Sequence, residues 1–289
     1  MPVRATYQLK QSPLYKLSSR SKLAKLLRIT SAELRALENG IEMYREFDIP
    51  KKNGSGYRHV ENPCRPLKLA QAKIARILAR ITPPDFLFCP VKRRCYVSNA
   101  AAHRGNRVVQ CLDIKKFFPN TPERRVFWFF EKIMKCERDI AALLARLACY
   151  NKHLPTGSPL SPIMAYFAYY DLWTKIEAFC KMKGLTFTVY VDDVTVSGTK
   201  VSKADMWEIR RMIYSYGLKY HKAKTFIDRP AEITGVVVNG NKLAAPFRQH
   251  KKKHEAMTLL PKAADEEREA ILGRIAGIQG QLQQIAQKN

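Results

Sequence analysis

Three aspartates stand where apolar strands would ordinarily carry no charge. Asp113 follows the run RVVQCL, and Asp192 and Asp193 interrupt LTFTVYVDDVTVSG, which is β-branched and aromatic on both sides of the pair. A carboxylate buried in such surroundings is costly without a cation. Oxygen donors of this kind select hard divalent ions, and two such ions about 3.5–4 Å apart hold both the attacking and the leaving oxygen of a phosphoryl displacement. The chemistry anticipated is nucleotidyl transfer. Taken singly, each feature also has a plainer reading: Asp-Asp between strands makes a hairpin turn, and an Asp after a strand caps a helix.

The elements that must position these residues are legible from periodicity and punctuation. Two short helical patterns open the chain, Lys22 to Leu27 and a second begun by the capping box Thr30-Ser31-Ala32-Glu33 and closed near Gly40. EFDIPKKNGSGYRHVENP reads as two strands around a glycine-rich loop, followed by a helix from Leu67 to about Ala79. After Asp113 come helical patterns at 124–134 and 137–149, then the loop HLPTGSPLSP and one long aromatic-rich helix through about Lys181. Ser202 caps a further helix ending at Gly217. Strand patterns follow at 219–227 and 232–238, and Asn239-Gly240 signals a hairpin into NKLAA. From Phe247 the chain is helical in composition, with Ile271, Ile275 and Ile278 at packing distance along one face.

Composition sets the partner class. The 289 residues hold 51 Lys+Arg against 25 Asp+Glu, a net charge of +26, while 46% hydrophobic residues supply a sizeable core. A folded, strongly basic surface concentrates polyanions, which disfavours a weakly charged metabolic enzyme and points to nucleic acid. No apolar run approaches the roughly 20 residues that span a bilayer, and MPVRATYQLKQSPLYKL lacks the apolar stretch of a signal peptide, so a cytoplasmic protein without a membrane partner is expected. Seven scattered cysteines without a C-x-x-C pair fit free thiols in a reducing compartment. His250 and His254 are four apart, but no third ligand accompanies them, and HKKKH reads as a polyanion-facing patch rather than a zinc site.

The segments LDIKKFF (112–118), LPTGSPLSP (154–162) and YVDD (190–193) occur in the order found in reverse transcriptases, and IPKKNGSGYR and HKAKT extend the resemblance from about Phe47 to Val238. NAAAH (99–103) is similar to the N-A-x-x-H pattern of bacterial retron reverse transcriptases, and ITGVVVN (233–239) to their V-T-G segment. The resemblance implies an α+β right-hand polymerase. Residues 1–45 would be a helical entry, 46–243 interleaved fingers and palm (an antiparallel sheet with helices), and 244–289 a short helical thumb. It implies an RNA-directed DNA polymerase that copies a structured noncoding RNA into RNA-linked single-stranded DNA (msDNA), within an antiphage system that has a separate effector protein. Another bacterial reverse transcriptase, of intron or abortive-infection type, is the alternative within the class. A non-catalytic RNA-binding scaffold is the alternative outside it.

Carried onto this chain, the resemblance gives Asp113 and Asp192 two Mg²⁺ ions, with Mn²⁺ as substitute and Asp193 as the second carboxylate of the tip. It assigns Lys51 and Arg58 to the triphosphate of the incoming dNTP, Phe118 to its sugar, Gly157 to close backbone approach and Lys224 to the departing pyrophosphate. Lys52 reads as an ordinary solvated charge. Asn99, His103, Thr234 and Gly235, with Arg248, Lys251, Lys252 and Lys253 at the thumb base, are the expected contacts to the cognate RNA. His103 taken alone reads as structural. The chain departs from the family in Thr156, where Gln is common, in YVDD for YADD, in Ile-Thr-Gly for V-T-G, and in the shortness of the thumb.

Overall fold

The computed structural model describes residues 5–39, 43–51 and 56–288. Gly40, Lys52 and the Asn53-Gly54-Ser55 part of the glycine-rich loop lie outside them. The chain divides into two compact units that alternate along the sequence: Met1–Pro84, Ile114–Ile176 and Arg211–Lys219 form one, and Asp85–Asp113, Glu177–Arg210 and Tyr220–Asn289 the other.

The first unit begins with α1 (Arg20–Leu27) and α2 (Ser31–Asn39). The expected capping box is present: the Glu33 backbone N–H donates to Thr30 Oγ1 (3.1 Å), and the Thr30 N–H to Glu33 Oε2 (2.6 Å). An antiparallel hairpin follows, β1 (Tyr44–Pro50) with β2 (Tyr57–Pro63), in register from Tyr44↔Pro63 to Pro50↔Tyr57. α3 (Arg65–Leu78) packs its Leu67, Ile74 and Leu78 face into the core.

The second unit opens with β3 (Leu87–Cys89), α4 (Tyr96–Ala101) and β4 (Val108–Ile114), the strand that delivers Asp113. The chain then returns to the first unit for α5 (Glu123–Trp128), α6 (Arg138–Ala148), α7 (Ser161–Ala168) and the start of α8 (Tyr170–Met182), which passes into the second unit after Ile176. The single long helix expected through Lys181 is thus two. The break falls at Tyr169, whose backbone leaves helical geometry (φ −119°, ψ 28°) while its fully buried ring stacks on Phe117 and its hydroxyl donates to the Asn120 carbonyl (3.0 Å). Packing of one aromatic outweighs helix continuation there, and sequence periodicity carries no trace of it.

β5 (Thr186–Tyr190), β6 (Asp193–Gly198) and, after the helix α9 (Lys203–Ser215), β7 (Tyr220–Ile227) complete the main sheet, whose strand order is β3-β5-β6-β4-β7. β6 runs antiparallel to both β5 and β4, while β3 lies parallel to β5. A second sheet has the order β10-β9-β8, from β8 (Ala231–Ile233), β9 (Val236–Asn239) and β10 (Lys242–Ala244). The strand expected over 232–238 is therefore a hairpin. Thr234 (φ 47°) and Gly235 (φ 88°) form its two-residue loop, the positive-φ pair of a type I′ turn. The hairpin anticipated at Asn239-Gly240 is present, with Lys242 opposite Asn239. α10 (Phe247–Leu259) and α11 (Asp265–Ala286) close the chain, and Ile285 of α11 enters an apolar cluster with Val97, Ala100, Ile233 and Val236.

Candidate active site

The tip of the β5–β6 hairpin is a two-residue loop, Val191-Asp192, closed by the Tyr190↔Asp193 pair. Its first residue is a β-branched Val at φ 58°, a conformation that costs of order 1–3 kcal/mol and persists only where the surroundings enforce it. One strand over, Asp113 lies directly opposite Asp193. Side chains opposite each other in an antiparallel pair share one face of the sheet, so the register brings the acid at the end of β4 beside the acid that starts β6.

The electrostatics follow from that crowding. Burial, then the like charges of Asp192 and Asp113, raise the Asp193 carboxyl to about 7, while Lys224 and Lys222 pull it back down. Among the described residues no three carboxylate, imidazole or thiol groups already stand in a metal-holding arrangement. The fit to divalent cations is one of donor chemistry: hard carboxylate oxygens on adjacent strands, whose mutual repulsion a divalent charge relieves.

Sequence reasoning alone does not reach two neighbours. His221 of β7 places Nδ1 3.5 Å from Asp113 Oδ1. The HKAKT segment by itself singles out Lys224, and only the sheet order, with β7 beside β4, brings His221 to this carboxylate. Lys222 was missed for the same reason, although its charge acts on Asp193 together with that of Lys224.

In the first unit, Phe117 and Phe118 separate by burial. Phe117 is 4% exposed and packs against Tyr169 and Trp173, whereas Phe118 is only half-buried. Phe118 is thus the ring open to a ligand. Lys51 and Arg58 are exposed on the β1–β2 hairpin, and neither side chain is paired with another described residue. A Cβ at Gly157 would lie 2.5 Å from the Glu61 carbonyl oxygen and 2.9 Å from Asn62 Cα, so this glycine permits a close approach to strand β2. The same loop is tied to β2 by Thr156, whose Oγ1 donates to the His59 carbonyl (2.8 Å) and whose N–H donates to Glu61 Oε2 (3.3 Å). Buried Glu61 also meets His153 Nε2 at 2.9 Å. The Thr that replaces the family's Gln thus anchors the loop to the hairpin.

The expected RNA contacts divide in the second unit. His103 is 0% exposed, its Nδ1 2.6 Å from Ser197 Oγ and its Nε2 2.8 Å from Thr188 Oγ1, and burial lowers its pKa to about 3. An imidazole with both nitrogens engaged inside the protein does not touch RNA; it pins the segment after α4 to β5 and β6. Asn99 is also buried and donates to Thr234 Oγ1 (3.3 Å), which itself donates to the Tyr96 carbonyl (3.1 Å). NAAAH and ITG, 135 positions apart between Asn99 and Thr234, are thus bonded to each other. The bond supports a Thr at positive φ, a conformation β-branched residues avoid. Arg248 is exposed and paired. Its guanidinium is held by both Glu232 oxygens, at 2.6 and 2.5 Å, and ties α10 to β8. Lys251 stands 3.9 Å from Glu255, while Lys252 and Lys253 are without an ion-pair partner among the described residues.

An antiparallel sheet that lifts carboxylates from two adjacent strands to one face, with a tight hairpin at its tip, defines a nucleotidyltransferase palm. The chain belongs to the family described as reverse transcriptase (RNA-dependent DNA polymerase), whose profile matches residues 49–238. It is similar to the retron Ec86 reverse transcriptase of Escherichia coli, 29% identical over 255 residues, 85% of this chain and 79% of that protein. It also resembles the retron Se72 reverse transcriptase of Salmonella heidelberg (28% over 218 residues) and the retron Mx162 reverse transcriptase of Myxococcus xanthus (28% over 271 residues). Of those two the chain spans 58% and 56% of their own length.

Proposed function

We propose that this RNA-directed DNA polymerase is a retron enzyme, which copies a structured noncoding RNA into RNA-linked single-stranded DNA within an antiphage system that includes a separate effector. The observation that carries the polymerase reading is the Asp113↔Asp193 register beside Asp192 at the hairpin tip. The similarity to proteins named retron reverse transcriptases supports the finer reading. On this reading the fingers and palm occupy 46–243, and 244–289 form the thumb.

Asp113 and Asp192, with Asp193 beside them, would hold two Mg²⁺ or Mn²⁺ ions. These ions, when bound, supply Lewis-acid stabilisation of charge at the α-phosphate and lower the cost of ionising the primer hydroxyl. Lys51 and Arg58 meet the triphosphate, Arg with paired donors and Lys as a point charge. The half-buried Phe118 ring stands under the sugar, where it excludes a 2′-hydroxyl and selects dNTPs. Lys224 faces the leaving pyrophosphate. Lys252 and Lys253 contact the RNA backbone, as cations without an ion-pair partner among the described residues can do. Among the described residues no helix is long and apolar enough to cross a membrane.

The test is the nucleic acid that travels with the purified protein. A retron enzyme carries material sensitive to both RNase and DNase, and sequencing it identifies the template RNA. Recovery of RNA alone, unchanged in Asp192→Asn, would replace this reading with that of a non-catalytic scaffold.

A further inference from the structure

Outside the carboxylate site, helices α5 and α6 of the first unit leave a cleft of about 420 Å³ between them, at the lower end of the roughly 300–1,000 Å³ typical of ligand pockets. Ala142 and Ala145 of α6 are small enough to leave the Phe127 ring of α5 half-exposed in its wall. Arg124, Arg146 and Lys152 stand around it, against a single acid, Glu123. Arg146 is bonded to Glu38, but Arg124 and Lys152 have no ion-pair partner among the described residues.

The position of Lys152 is fixed by its backbone. Asn151 (φ 46°) and Lys152 (φ 63°) are the central residues of a turn closed in both directions between Tyr150 and His153, at 2.8 and 2.9 Å. Two consecutive non-glycine residues at positive φ are unfavourable, and this pair is held by an additional bond from the Glu123 N–H to the Lys152 carbonyl (2.8 Å). That bond fastens the turn to the start of α5, the helix that carries Arg124 and Phe127.

A partly exposed aromatic ring beside two cations without ion-pair partners among the described residues is complementary to one unit of a single-stranded nucleic acid. The ring accepts a base by stacking and the cations accept the adjoining phosphate. The structure assigns this cleft as an accessory site for one unpaired nucleotide of the bound RNA, with the base on Phe127 and the phosphate between Arg124 and Lys152. A duplex keeps its bases stacked internally and cannot offer one to the ring, so the site distinguishes an unpaired segment from a stem. The assignment rests on the reading that the chain handles RNA, but it uses none of the residues placed in the polymerase site.

The experiment uses the full chain and a 5-iodouridine-containing single-stranded RNA, with the same RNA annealed into a duplex as control. Irradiation should attach the single strand to the peptide holding Phe127, and the duplex should not react there. Phe127→Ala should remove that adduct and weaken single-strand binding roughly 5- to 150-fold, the loss expected for one stacked base. Arg124→Gln with Lys152→Gln should reduce the slope of log affinity against log salt by about 0.7, the value for the single phosphate held between them. Ala142→Leu, which fills the cleft without removing a charge or the ring, should also abolish the adduct and guards against a Phe127→Ala protein that fails to fold. Adducts that map elsewhere, with affinity and slope unchanged in these variants, would overturn the assignment while leaving the polymerase reading intact. Loss of adduct to an acidic peptide competitor but not to single-stranded RNA would overturn it in favour of a protein partner. A chain that binds no RNA at all would defeat both.

Discussion

Acidification should affect the wild-type protein and a His103→Gln variant differently, and the size of the difference follows from the buried imidazole. In the folded chain burial holds His103 at about 3, against about 6.5 when unfolded. As pH falls through about 6.5 the unfolded chain takes up a proton that the folded chain refuses. Stability therefore drops by about 1.4 kcal/mol per pH unit until about pH 3. Between about pH 7 and about pH 5 this amounts to about 2 kcal/mol. Asp193 works in the opposite sense. Its folded carboxyl is raised to about 7, so the folded state is stabilised by proton uptake as pH falls from about 7 towards about 4. The two contributions oppose each other in the wild-type curve, and the comparison with the variant is what isolates the histidine. His103→Gln keeps Asp193 but removes the imidazole, at a pH-independent cost from the Ser197 and Thr188 hydrogen bonds. Urea denaturation of both proteins at about pH 7 and about pH 5 should show the gap between them narrowing by about 2 kcal/mol. Stabilities that move in parallel would refute the claim that His103 is a neutral, buried pin.

Three further outcomes follow from the geometry. Asn99→Ala and Thr234→Ala should couple by about 0.5–3 kcal/mol in a double-mutant cycle of unfolding free energy, and strict additivity would contradict the bond between the two motifs. Gly157→Ala places a methyl against the Glu61 carbonyl and should destabilise the protein by about 1–3 kcal/mol; an unchanged melting temperature would show that β2 yields freely. Phe118→Ala should raise incorporation of ribonucleotides relative to deoxynucleotides by roughly tenfold or more, and an unaltered ratio in competition would remove Phe118 from the sugar site.

The parts of this molecule legible in its sequence are those set by local rules. Capping at Thr30 and Ser202, the β-branched runs around Asp192-Asp193 and the Asn239-Gly240 turn all follow from chemistry within a few residues, and all are present. What escaped depends on neighbours distant in the chain. Nothing local announces that Tyr169 ends a helix by entering the aromatic core, or that Gly157 is needed by the backbone of β2. His103 and Asn99 invite an RNA-binding reading because polar side chains in family motifs resemble ligand contacts. Their partners at Ser197 and Thr234 are visible only when strands meet. His221 reached Asp113 by the same route, through strand order.

The central claim is tested most directly by primer extension on an RNA template, with dNTPs and Mg²⁺, comparing the wild-type chain with Asp113→Asn and Asp192→Asn. The wild type should add deoxynucleotides. Each variant should lose more than the about 10- to 100-fold that disturbing an outer-shell partner of a metal ligand typically costs, while its melting temperature stays close to that of the wild type. Extension that persists undiminished in both variants would contradict the assignment of these carboxylates to the chemistry.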